Sequence, residues 1–304
     1  MSTAYGSSLR NVSIPSLYNG VSQQPASIRL PSQCELQENA YPSLVDGLKK
    51  RPSTEQLAKL DSTVDSNRFV HFINRDLVER YTVILTENDL KVYTLDGEER
   101  TVTFSADKSY LECDDPNEQM ELVTVADYTF IVNKTVTTQM STDLTGGTLK
   151  GKKQTFSTLP TSGMGTGDVW EIEGDPNNSF DSYFVEWTGE TWEETCEVGI
   201  EYKFDATTMP HQLVRESDGT FTFEVCPWAD RLVGDEESNP NPSFIGNTIV
   251  DIFLHRNRLG LLSGENVILS TAPASDFNFF RESATILIDS DPIDTPAGHN
   301  KVSN

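Results

Sequence analysis

From about residue 68 the chain is written in runs of five or six residues rich in Val, Ile, Leu, Tyr and Thr, and turn-forming residues separate them. An amphipathic helix would repeat its apolar residues every three or four positions. These runs are too short for that and are bounded by Asn, Asp and Gly, which leaves hairpins as the main building unit. VHFINR (70–75), YTVILT (81–86) and LKVYTL (90–95) follow one another, with Asn88-Asp89 and Asp96-Gly97 at the turns between them. ELVTV, YTFIVN and VTTQM come next.

One hairpin pattern recurs. VILTENDLKVY (83–93) matches GLLSGENVILS (260–270) in its first apolar strand, its Asn/Glu turn and its second strand, and FIVNKTVTT (130–138) reads as a shorter-turned copy. The last apolar residues before the three turns are Leu85, Val132 and Leu262, spaced 47 and then 130 residues apart. Propeller blades repeat every ~40–50 residues. The first interval is then one blade, and the second is one blade plus 83 further residues. A compositionally distinct stretch supplies them: residues 168–240 hold 19 Asp/Glu against three Lys/Arg, and all four tryptophans (Trp170, Trp187, Trp192, Trp228). The expected fold is therefore mainly β. A propeller-like β core (68–149, resuming unfinished at 241–304) is interrupted by an acidic, Trp-rich inserted β subdomain at 150–240, with a β sandwich as the alternative. The Gly/Thr/Lys-rich 142–168 and the Asn-Pro-containing 231–244 read as loops around the insertion.

Residues 1–67 read as an extended N-terminal arm. Pro15, Pro25, Pro31, Pro42 and Pro52 forbid a long helix. A short helix is expected after Pro31, where Ser32 and Glu35 have capping-box spacing. The first 60 residues carry six bases and four acids, and Lys49, Lys50 and Arg51 are the candidate contact with neighbouring proteins.

The whole chain has 47 acids and 23 bases, a net charge of −24, which argues against a protein that wraps nucleic acid but not against DNA passing nearby, since like charge repels a polyanion and prevents sticking. The N-terminus has no basic start followed by an apolar core, and no apolar run has the length of a membrane span, so no leader and no membrane insertion by this chain are expected. Cys34, Cys113, Cys196 and Cys226 have neither zinc nor redox spacing and read as buried free thiols.

Candidate chemistry is sparse, and neither a cofactor nor a metal is expected. GMGTGD (163–168) lacks the context of a phosphate loop. Asp289, Asp291 and Asp294 lack the spacing of a calcium loop and read as an Asx turn. WEETCE (192–197) places Glu193, Glu194 and Glu197 beside tryptophans, the one arrangement that suggests a glycan-binding or glycan-hydrolysing module; a solvated acidic face is the plainer reading. Arg256, Asn257 and Arg258 stand between two apolar runs. Asn257 is expected in the turn, and the arginines are expected on carboxylates or backbone carbonyls at an assembly contact, with DNA contact as the alternative.

Four segments add up to a family: VSQQPASIRLPSQCELQENAYPSLVDGLKKRP (21–52), FDATTMPHQLVR (204–215), SNPNPSFIGNTIVDIFLHRNRLGLLSGENVILS (238–270) and DFNFFRESATILIDSDPID (276–294). Together they resemble the tail tubular protein B (tail nozzle protein) family of short-tailed bacteriophages of the podovirus or autographivirus type. The resemblance implies a non-enzymatic virion component, assembled in the host cytoplasm as a homo-hexameric ring. That ring would extend the tail tube beneath the gatekeeper or adaptor ring (tail tubular protein A), meet tail fibres at the junction, and pass double-stranded DNA and internal ejection proteins through its channel. Family members are usually more than twice this length, so it also implies either a fragment or a nozzle divided between two polypeptides.

Overall fold

The computed structural model describes residues 16–60, 67–174 and 182–297. The chain divides into two units, at Leu57 and Ala58.

In the first unit, β1 (Ala40–Ser43) and β2 (Gly47–Lys50) form a hairpin, closed by the pair Ser43 and Gly47. The Ser43 hydroxyl accepts from the amides of Val45 and Asp46 at the tip. The helix expected after Pro31 does not form. The Glu35 carboxylate, needed for a capping box, is drawn to Arg29 at 3.1 Å, and the Gln33 side chain takes the Leu30 amide. Cys34 instead continues as extended backbone, bridging Val21 in parallel.

The described residues of the second unit form four sheets. Strands β3 (Phe69–Asn74), β4 (Arg80–Leu85), β5 (Leu90–Thr94) and β6 (Glu99–Arg100) make an antiparallel meander. The central sheet has the order β7 (Val102–Phe104), β15 (Phe221–Val225), β14 (His211–Arg215), β9 (Tyr128–Asn133), β8 (Met120–Val125). A third sheet joins β10 (Thr148–Lys153), β11 (Asp168–Ile172), β12 (Tyr183–Trp187) and β13 (Trp192–Thr195). The fourth, β16 (Asp251–His255), β17 (Arg258–Ser263), β18 (Asn266–Leu269) and β19 (Ile293–Pro296), is again an antiparallel meander.

The central sheet has two apolar faces, as the alternation of strand side chains requires. Met120, Leu122, Ile131, Leu213, Phe221 and Phe223 pack against Ile73, Tyr81, Val83, Leu85, Leu90 and Val92 of the first meander. On the other face Phe130 and Val132 meet Ile252, Leu259, Leu261 and Ile268 of the last meander and the aromatic run Phe277, Phe279 and Phe280. Each such buried aliphatic contributes about 1.5–3 kcal/mol. The β10–β13 sheet has its own small core of Leu159, Ile172 and Val185, covered by Trp170, Tyr183 and Trp192.

Two of the three expected hairpins form, β4–β5 (Leu85 opposite Leu90) and β17–β18 (Ser263 opposite Asn266). The third, at 130–138, does not. Asn133 ends β9 by donating its amide nitrogen to the carbonyls of Tyr110 and Glu112, both at 2.9 Å, and its oxygen accepts from Thr135. Thr137 then bridges Thr248, and the Thr138 amide reaches the Asn247 carbonyl. Strands β10–β13 make a sheet of their own, whereas β14 and β15, also inside the expected insertion at 150–240, pair with β9 and β7. Trp228 packs on Phe277 and Phe279, in a different core from Trp170 and Trp192.

All four cysteines are free; Cys196 and Cys226 are buried, Cys34 and Cys113 half-buried. Burial pushes the Cys196 thiol up to about 12. Among the described residues no helix is long and apolar enough to cross a membrane.

Candidate functional site

A cleft of about 570 Å³ lies between the central sheet and the β16–β17 hairpin. Strand alternation puts Val125, Tyr128, Phe130, Gln212, Val214 and Glu224 on one face of the sheet, where they form one wall. Leu254, Asn257 and Leu259, with Ala274, Ser275 and Phe277, form the opposite wall. Tyr128 and Leu254 remain 45% and 41% exposed at its mouth. Glu224 is the one charged residue among the described lining; its carboxylate accepts from the Gln212 amide nitrogen at 2.8 Å. The cleft offers apolar surface and one anion but no nucleophile paired with a base, so it suits binding better than catalysis.

The β16–β17 turn explains why Asn257 sits there. Arg256 and Asn257 are its two central residues, both left-handed (φ 49° and 60°), the signature of a two-residue type I′ turn. Asn tolerates that conformation better than most residues. Arg256 is exposed at the tip. Arg258 points elsewhere: its Nη1 donates to the carbonyls of Asp291 (2.6 Å), Ser270 (2.8 Å) and Ser290 (3.2 Å), and its Nη2 to that of Asp289 (2.5 Å). One guanidinium thus fastens the 289–291 turn to the last meander. The carboxylates of Asp291 in that turn and Asp294 on β19 are structural too. Asp291 accepts from the Ile288 amide, and Asp294 accepts from the Ser243 amide and hydroxyl and from Asn266.

In the first unit, Lys49 pairs with Asp46, Lys50 is exposed on β2, and Arg51 donates to the Asn39 side chain at 2.9 Å. The two basic clusters therefore belong to different units.

The glutamates of 192–197 do not converge. Glu194 accepts from the Ala284 amide (2.7 Å) and the Ser283 hydroxyl (3.2 Å), which ties β13 to the 283–284 segment. Glu193 stands opposite Glu186 on β12. Glu197 is raised from its usual range, first by burial and then by the nearby Asp235 and Glu171. The Trp192 ring packs on Trp187 and donates its N–H to the Pro160 carbonyl at 3.3 Å.

A second feature was not foreseen. The β3–β4 turn, Asp76 to Glu79, carries Leu77 and Val78 at 87% and 89% exposure. It is nevertheless tightly made: Asp76 accepts from the amides of Val78 and Glu79, both at 2.7 Å. Those two bonds hold the Asp76 carboxyl below its usual range. Arg75 grips Asp127 of the β8–β9 turn at 2.5 Å and also pairs with Glu79, which in turn pairs with Arg215 of β14. The signal in the sequence was an aliphatic pair inside a charged turn, Arg75-Asp76-Leu77-Val78-Glu79-Arg80. Arg231 was also missed. Its side chain is almost fully buried over the Phe280 ring and donates to the Glu201 carbonyl and the Asn241 side chain.

Comparison with known proteins completes the description. The family model of the bacteriophage nozzle protein matches residues 7–152 and 146–304. Tail tubular protein gp12 of Escherichia phage T7 is 30% identical over 397 aligned residues, which take in 96% of this chain and 50% of that protein. The chain thus spans about half the length of this curated relative.

Proposed function

The chain belongs to the bacteriophage nozzle protein family, and from that premise we propose that it is a structural subunit of a tail nozzle, a ring through which the phage genome leaves the particle. The observation that carries the reading is the family match over both halves of the chain, from residue 7 to residue 304. The proposed ring is a homo-hexamer that continues the tail tube in the virion. It meets the adaptor ring protein (tail tubular protein A) and the tail fibres, and lets internal ejection proteins and double-stranded DNA pass without sequence recognition. Its role is mechanical rather than catalytic. The net charge of −24 supports a channel that does not hold DNA.

The proposed architecture is a propeller-like β core. The meanders β3–β6 and β16–β19 support it, because four antiparallel strands in sequence order are the make-up of a blade. Residues 1–67 are the arm, 68–149 and 241–304 the two parts of the core, and 150–240 the insertion. The independent sheet β10–β13 is its best-supported portion. Lys49, Lys50 and Arg51 are proposed as the arm's contact with neighbouring tail proteins, and Arg256, Asn257 and Arg258 as an assembly element.

The glycan-active alternative is not favoured, because the carboxylate of Glu194 is already bonded to the 283–284 backbone and hydroxyl. Imaging phage particles with the chain labelled tests the function. A six-fold ring on the tail axis is expected; label confined to the fibre tips would overturn the reading.

A further inference from the structure

The β3–β4 turn is the opposite of what a free surface favours. Two aliphatic side chains, Leu77 and Val78, stand almost wholly in water on a turn held rigid by Asp76, Arg75 and Arg215. A pre-ordered apolar tip loses little conformational entropy when it is covered, which is how contact anchors are built. Beside it Arg80 uses its Nε on the Asp76 carbonyl at 3.1 Å, leaving the cation near the aliphatic pair. The cleft described above is the complementary shape. Its walls are mainly apolar with Gln212, Asn257 and Ser275 among them, its volume accommodates two aliphatic side chains, and the one charge among the described lining is the Glu224 carboxylate.

We propose that the Leu77–Val78 tip of one copy of this chain seats in the cleft of the next copy, with Arg80 of the first facing Glu224 of the second. Leu77 and Val78 cover the apolar walls around Tyr128 and Leu254. Arg80 supplies the positive charge that the lining lacks. The tip belongs to the meander packed on one face of the central sheet, through Ile73 and Tyr81, while the cleft opens on the other face, beside Phe130 and Val214. Donor and acceptor surfaces on opposite faces make a head-to-tail contact, the kind that closes into a ring when the rotation allows. This inference rests on the reading of the chain as a ring subunit and names the surfaces that join its copies.

Two forms of the full chain, one Val78→Cys and the other Leu254→Cys, test the contact when mixed and treated with a short bismaleimide. Each form treated alone gives the background from the native cysteines. The mixture is expected to yield a cross-linked dimer at about tenfold over that background, and adding Leu77→Asp to the first form should remove the excess. Arg80→Glu should weaken the cross-link, and Glu224→Arg in the other form should restore it, a rescue that misfolding cannot imitate. Chains that associate by sedimentation but give no excess cross-link, and are indifferent to Leu77→Asp, overturn the contact while leaving the ring reading intact. A chain that stays monomeric at every concentration overturns it too. The ring reading is judged separately, on particle images.

Discussion

Arg258 has a role that charge alone would not supply. A planar guanidinium reaches four carbonyls, those of Ser270, Asp289, Ser290 and Asp291, from one position. Arg258→Ala removes the donor these carbonyls share, although Ser290 keeps the Ala272 amide, and should cost about 2–3 kcal/mol, read as a lower urea midpoint. Arg258→Lys should recover little of it, since an ammonium on a flexible stem cannot span the set; full recovery would show that only the charge matters. Gly234 is constrained in a different way. Its φ is +82°, and a Cβ there would come within 2.7 Å of the Ser238 hydroxyl and 3.0 Å of Asn239. Its amide and carbonyl also bond Thr195 and Glu197, carrying the chain from the β10–β13 sheet into the rest of the unit. Gly234→Ala should therefore cost about 1–3 kcal/mol by denaturant titration, and an unchanged midpoint would remove that constraint. Of these residues, the Arg256-Asn257-Arg258 group was visible in the sequence because it interrupts two apolar runs. Which arginine faced solvent was not visible, since that depends on carbonyls some 30 residues away. Gly234 looked like any loop glycine.

At the scale of elements, the β4–β5 and β17–β18 hairpins were legible because strand, turn and strand are contiguous. The pattern at 130–138 misled for the same reason. Its local match to a hairpin was outweighed by bonds from Asn133 back to Tyr110 and Glu112 and from Thr138 forward to Asn247. The cleft was illegible altogether, because its walls come from residues 125 to 277. The β3–β4 tip gives an element-scale prediction. Its order depends on the ionised Asp76 carboxylate accepting from the amides of Val78 and Glu79, and those bonds lower its pKa. A lowered pKa means that the contribution is complete above the ordinary aspartate range. It is lost only as pH falls through the depressed value. Amide exchange at Val78 and Glu79 should thus stay slow, after correction for intrinsic rates, from neutral pH down past the ordinary aspartate pKa. In Asp76→Ala it should be fast throughout. Equal protection in the variant would mean that Arg75 and Arg215 hold the tip without Asp76.

For the whole molecule, charge distribution decides more than any single site. Residues 168–240 carry a net −16, while residues 1–60 carry +2, so the surplus is concentrated within the second unit. A protein that grips duplex DNA neutralises phosphates and releases counterions, and its affinity then falls steeply with salt, at a slope near −0.9 per phosphate contacted. A chain at −24 lacks a comparable source of affinity, and exposed Arg256 is one cation against that background. The expected result is that a labelled duplex shows no anisotropy change with the full chain at micromolar concentration, whether salt is low or near physiological. Arg256→Ala should change nothing. Binding at low salt that weakens with a slope of several units, and that disappears in Arg256→Ala, would show instead that the β16–β17 turn touches DNA. The same experiment separates two origins of a non-adhesive conduit. If neutralising acids in 168–240 to Asn and Gln induces binding, like-charge repulsion from that stretch keeps DNA from sticking. If binding is still absent, the missing element is a basic surface, and the acidity serves solubility or assembly.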